Sequence, residues 1–175
     1  MSMIQGFSAG WIPYDREKAV LYANTWALGR NPQYYDYSHL GGDCTNFISQ
    51  CIHAGGGVMN YTPNTGWYYR NANDKAPAWT GVPYLADFLL RKSGGPGPAG
   101  RIADIGELEP GDIIQLAFYE NRRFSHSLII VECGNPPLVE KIYINTHSYD
   151  RKRYPLTNYF WSRIQFIKIL GSYGV

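Results

Sequence analysis

The periodicity of the chain changes once, at the Gly/Pro-rich stretch 93–100 (SGGPGPAG). Before it, apolar residues recur at helical spacing; after it, they come in short runs bounded by turn residues. Residues 15–28 read as a helix capped by Asp15 and stopped by Gly29, with Ala19, Val20, Ala23, Trp26 and Ala27 on its apolar face. A second helix starts at Asp43-Cys44, carries Phe47, Ile48, Cys51 and Ile52 as its stripe, and ends at Gly55-Gly56-Gly57. A third spans residues 82–91. Residues 113–118, 125–131, 139–146 and 164–170 then read as strands, the second opening on His126. Helices followed by an antiparallel meander predict an α+β fold. Residues 56–80 show no sustained period and are expected to be an irregular excursion. Residues 93–100 are expected to be flexible but not a boundary, because neither half has core enough to stand alone. A single domain over residues 11–171 follows.

Composition excludes several partners. A net charge of +2 is too small for a nucleic-acid or anionic-membrane surface, and the short Arg151-Lys152-Arg153 run reads as a solvated loop. No apolar run approaches the ~18 residues of a membrane span. Residues 1–10 show no basic region followed by an apolar core, so no export signal is visible. Three cysteines in 175 residues do not make a disulfide framework. Fifteen tyrosines and five tryptophans suit either a core or an aromatic-lined groove. Trp67, Tyr68, Tyr69 and Trp79 are the candidates for such a cleft wall.

Gly41-Gly42-Asp43-Cys44-Thr45-Asn46-Phe47-Ile48-Ser49-Gln50 carries the strongest chemical signal. It sets a cysteine in the first turn of a helix, behind two glycines and an N-capping aspartate. Unpaired N–H groups and the positive end of the helix dipole favour a thiolate there. The alternative is a buried cysteine on an ordinary amphipathic helix.

His126 stands at the mouth of an apolar strand, as a satisfied core residue or as a functional group on a rigid element. Beside a primed cysteine it becomes the base that takes the thiol proton and returns it to a leaving amine. A hairpin turning near Asn135-Pro136 would bring residue 145, 146 or 147 opposite it. Asn145 and His147 share one face by period-two alternation, and either would fix the His126 tautomer. Asp150 would support His147 from the following turn. All three are alternatively plain strand-end polar residues. A zinc site on Cys44, His126 and His147 lacks any local ligand pair, so neither metal nor cofactor is expected.

Together these pieces resemble a family of amidase domains related to the papain-like NlpC-type and CHAP cysteine peptidases of bacteria. The resemblance rests on Asn31-Pro32, Tyr34, Tyr37, the Gly42–Gln50 stretch, Trp67-Tyr68-Tyr69, Pro110-Gly111-Asp112-Ile113-Ile114, Ser125-His126-Ser127 and Thr146-His147-Ser148 with Asp150, in the family's order. It implies an open papain-like fold with Cys44 as nucleophile, His126 as base and a polar third member. Relatives commonly place a histidine there, which favours His147 over Asn145. It further implies peptide or amide substrates such as bacterial wall stem peptides, and a wall or extracellular location if the chain is exported. A monomer is expected.

The implied reaction is amide hydrolysis through a thioester. The Cys44 N–H would be one oxyanion donor, with Asp43 at the cleft. A second would come from loop 34–39, with the hydroxyls of Tyr34 and Tyr37 as candidates. Two other readings keep the fold: a transferase or deamidase, and a catalytically silent binding module.

Overall fold

The computed structural model describes residues 10–175, so the reading of residues 1–10 for an export signal lies almost wholly outside it. In chain order the elements are β1 (Trp11–Pro13), α1 (Arg16–Trp26), α2 (Cys44–Ala54), β2 (Tyr69–Asn71), β3 (Asp74–Lys75), α3 (Pro77–Thr80), α4 (Val82–Leu89), β4 (Gly97–Ile102), β5 (Ile113–Ala117), β6 (His126–Glu132), β7 (Tyr143–Thr146), β8 (Arg151–Pro155) and β9 (Arg163–Tyr173). The arrangement is α+β: one large antiparallel sheet, ordered β1-β9-β5-β6-β7-β8 with β4 on the other side of β9, and helices on one of its faces.

Helix α1 begins where Asp15 Oδ1 accepts from Lys18 N at 3.0 Å, as a capping residue should. Its buried face is Ala19 and Ala23, continued by Ala27, small enough for α2 to pack closely. Helix α2 is not amphipathic in the ordinary sense, because Cys44 through Ile52 are all buried. Its polar members survive burial because each has a partner. Thr45 Oγ1 lies 3.0 Å from Ser127 Oγ. Tyr22 Oη donates to Gln50 Oε1 at 2.5 Å, and Ser49 Oγ donates to the Trp79 carbonyl at 2.9 Å. The indoles of Trp67 and Trp79 donate to Ser49 Oγ (3.0 Å) and Asn46 Oδ1 (2.9 Å).

Two cores result, one on each face of the sheet. Phe47, Ile48, Ile52, Trp67, Trp79, Leu85 and Leu89 pack on Ile113, Ile129, Ile167 and Ile169. On the opposite face, Ile114, Leu116, Leu128, Ile130, Ile144 and Phe166 are covered by Leu108 and Leu156, with Tyr154, Tyr159 and Trp161 packed against them. Strand alternation assigns Ser127 and Ile129 to the helical face and His126, Leu128 and Ile130 to the other.

Several expectations change. Residues 93–100 are not merely a flexible breaker, since Gly97–Ile102 forms β4, paired with β9. Pro98 is tolerated because β4 has no partner on its outer side. Arg91 gathers the segment by donating to the Phe88 and Pro98 carbonyls at 2.9 and 2.6 Å. The Arg151-Lys152-Arg153 run is not a loop but the start of β8, where exposed charges guard a sheet edge. The excursion at 56–80 holds the β2–β3 hairpin and α3. No helix among the described residues is long and apolar enough to cross a membrane.

Trp67 and Trp79 are fully buried, with ring centroids 4.7 Å apart and planes inclined at 40°, so they are core rather than cleft wall. Trp67→Ala should therefore cost about 3–5 kcal/mol of stability, measured by urea denaturation. A change that spares stability and weakens only substrate binding would restore the cleft-wall role.

Candidate active site

Cys44 opens α2 with its side chain 7% exposed. Its Sγ lies 3.7 Å from Thr45 Oγ1 and is approached by the Ser127 N–H of β6. Burial pushes the thiol above its ordinary range. The Ser127 and Thr45 donors pull the other way, and the Asp43 charge adds to the rise. The expected thiolate is thus not the resting form, because the cost of burying the charge exceeds what the helix terminus returns.

Ser127 immediately follows His126, the first residue of β6. His126 is 8% exposed and faces the second core, with ring centroids 6.2 Å from Phe118 and 5.8 Å from Tyr159. Burial lowers it to about 4, so the imidazole is neutral near pH 7 and able to accept a proton. Tyr159 connects the two candidates: its phenol is pushed up to about 12, chiefly by burial, with Cys44 among the smaller causes. Among the described residues no hydrogen bond joins the thiol to the imidazole. The ring opens on a cleft of about 290 Å³ lined by Phe118, Ser125, Ser148, Tyr149, Arg151, Tyr154 and Tyr159.

The third member stands elsewhere. Ile129 pairs with Asn145 and Ile130 with Ile144, which three residues further sets Ser148 opposite His126. Asn145 and His147 therefore lie on the helical face and His126 on the other. Asn145 Nδ2 donates to Asn24 Oδ1 at 2.9 Å, and Arg153 N donates to Asn145 Oδ1 at 2.7 Å. His147 stacks on Phe47 with centroids 4.1 Å apart. Its Nδ1 is 2.5 Å from Asp43 Oδ2 and its Nε2 is 2.8 Å from the Trp26 carbonyl oxygen. Neither ring nitrogen is available to His126.

Asp43 occupies the N-cap position of α2, but its side chain caps nothing in the helix backbone. It accepts from Tyr37 N (2.8 Å), Asn46 Nδ2 (2.9 Å) and His147, while its own N–H donates to Ser148 Oγ at 3.0 Å. Arg30 reaches the same carboxylate with Nε at 3.5 Å and grips Asp150 with two donors at 2.9 and 3.0 Å. Asp150 thus supports Arg30, not His147.

The expected oxyanion loop is mostly committed. Tyr37 Oη donates to the Ala72 carbonyl at 3.0 Å, and Tyr34 packs on Trp79 and Tyr69. The amides of Tyr34, Tyr35, Tyr37 and Ser38 all have acceptors, whereas Cys44 N–H has none among the described residues. Tyr68 donates to Asp74 Oδ1 at 3.1 Å on the β2–β3 hairpin, away from the cleft. Arg30, Tyr154 and Tyr159 went unread in the sequence, and Ser148 entered only within the Thr146-His147-Ser148 motif. Arg30 takes its role from Asp36, Asp43 and Asp150 together, and Ser148 from the distant Asp43 N–H. All three cysteines are free, and no group of three or more His, Cys, Asp or Glu side chains among the described residues is placed to hold a metal.

Residues 13–169 match the family model described as "Putative amidase domain". The chain belongs to that family. It is similar to the "Uncharacterized protein YhbB" of Bacillus subtilis (strain 168), 40% identical over 146 residues, which cover 81% of this chain and 44% of that protein. The chain thus spans less than half the length of this curated relative. No solved structure matches it. The family's description points to hydrolysis of amide bonds.

His126 makes stability depend on pH. An unfolded histidine takes up its proton below ~6.5, the folded one only near about 4. Between those values the unfolded chain holds more protons, so stability falls as the pH drops, by up to about 3 kcal/mol. Urea melts at about pH 7.5 and 4.5 should show wild type losing more than His126→Gln. Equal losses would place a charged or exposed imidazole here.

Proposed function

We propose that the protein is a cysteine-dependent amidase that cleaves an amide through a thioester on Cys44, with His126 as proton carrier. The observation that carries this is the seat of Cys44: a thiol on a buried helix N-terminus, held against the strand whose first residue, His126, lines a cleft. The shifts of the two groups move apart, thiol up and imidazole down, so the resting pair is neutral. His126 then acts as a general base during attack, not as the partner of a preformed ion pair. Apo sites hold such pairs loosely, and substrate draws them together.

In acylation the Cys44 proton passes to His126 as sulfur bonds to the carbonyl carbon. The C–N bond then breaks and the imidazolium protonates the departing amine. A water molecule, deprotonated by His126, attacks the thioester; the acid leaves and the thiol recovers its proton. The free Cys44 N–H serves the oxyanion. His147 becomes a positioning residue, holding Asp43 and with it the first turn of α2.

An antiparallel sheet with a buried cysteine helix packed on one face supports the papain-like comparison. Bacterial wall peptides as substrate rest on the family resemblance, as does a wall or extracellular location. The competing reading is a silent binding module of the same fold, favoured by the missing thiol–imidazole bond.

The test incubates the protein with purified bacterial wall fragments and reads new free amines by mass spectrometry. Cys44→Ala and His126→Ala should each lower the rate by at least about 10²-fold, with losses that do not add in the double variant. His147→Ala should lower stability and reduce the rate less. Wild-type levels of product from Cys44→Ala would overturn the nucleophile; no product from wild type, with fragments bound, would leave the binding module.

A further inference from the structure

The cleft beside His126 carries a cation that the fold does not use. Arg151, first residue of β8, lines it with its guanidinium 4.7 Å from the centre of the Tyr154 ring. It forms no ion pair among the described residues. Asp150, its neighbour in the chain, is taken by the two donors of Arg30. Arg151 also acts on the buried end of the cleft, since its charge opposes the rise of the Tyr159 phenol. The rim is aromatic: Phe118 is 40% exposed and Tyr149 is 89% exposed. Tyr149 is held out by two successive left-handed residues, Ser148 at φ 64° and Tyr149 at φ 63°, a conformation that non-glycine residues adopt only at a cost in backbone strain.

A stacked guanidinium keeps its in-plane N–H fork free, and that fork matches a carboxylate. The cleft, at about 290 Å³, is at the lower edge of the ~300–1,000 Å³ that encloses a drug-sized ligand. It suits one or two residues of a peptide, not a long chain. We propose that the cleft takes an acidic peptide, with Arg151 binding a substrate carboxylate while the adjoining amide plane lies against Tyr154 and Tyr159. Specificity is then set on β8, two strands after the one that opens with the proton carrier, by a residue that does no chemistry. The proposal rests on the amidase reading for its orientation but is tested by binding, so the two fail separately.

The experiment titrates full-length Cys44→Ala protein with N-acetyl-Ala-Glu-Ala amide and its Gln counterpart, by NMR or calorimetry. The glutamyl peptide should bind about tenfold tighter, the scale of one charge-assisted contact. Arg151→Ala should bring that ratio near one and Arg151→Lys should recover part of it. Lys152→Ala, next along the same edge strand, should leave it in place; circular dichroism checks that each variant folds. Equal binding of the two peptides, binding of neither, or a ratio that survives Arg151→Ala would overturn the proposal. So would an equal loss in Lys152→Ala, which would mean a diffuse positive field, or displacement of the peptide by an equal concentration of inorganic phosphate.

Discussion

One buried carboxylate organises this end of the molecule. Asp43 has no exposed surface, and its oxygens receive donors from three separate segments: Tyr37 on the loop after α1, Asn46 on α2, and His147 after β7. Leaving such a charge uncompensated costs about 3–5 kcal/mol, so the loop, the helix and the strand end must meet there. Arg30 carries the tie outward to Asp36 and Asp150. The first turn of α2, and Cys44 with it, is fixed by charge pairing and not by an ordinary cap.

That solution has a cost for the thiol. A negative charge one residue before the cysteine opposes a thiolate, while the helix terminus favours it. Burial of both side chains outweighs it and drives thiol and imidazole toward their neutral forms. On the proposed mechanism, proton transfer is then coupled to attack.

Pattern reading recovered the helices and the central strands because their apolar residues recur at helical spacing or come in short runs bounded by turn residues. It failed where periodicity carries no information. β4 is Gly-Pro-Ala-Gly and β8 is Arg-Lys-Arg, compositions that suit sheet edges and loops equally. The β6–β7 register turned on a single residue: an irregularity between Ile130 and Glu132 and the 3-10 turn at Val139–Lys141 set the pairing, and parity moved Asn145 and His147 to the face away from His126. The tryptophans looked like cleft walls because nothing local shows that Ser49 and Asn46 would satisfy their indoles. Arg30 gave no sign of its partners, and Ser148 stood out only within the Thr146-His147-Ser148 motif. The placing of Cys44 and His126 at element starts was legible, because the helix and strand patterns fix where those elements begin.

The most specific stretch of the sequence is mainly a scaffold. In Gly41–Gln50, Asp43 fastens the helix start, and Asn46, Ser49 and Gln50 bond to tryptophans and a tyrosine. Phe47 stacks on His147. Gly42 does not make room for a ligand: it sits at φ 106°, and a Cβ there would lie 3.0 Å from Ser148 Oγ, the atom that accepts the Asp43 N–H. The signature thus specifies how a thiol is seated, while the proposed proton carrier and the cleft it lines belong to β6, β8 and the other face of the sheet. Seat and cleft can therefore vary independently, since a substitution at Arg151 on β8 leaves every partner of Asp43 in place.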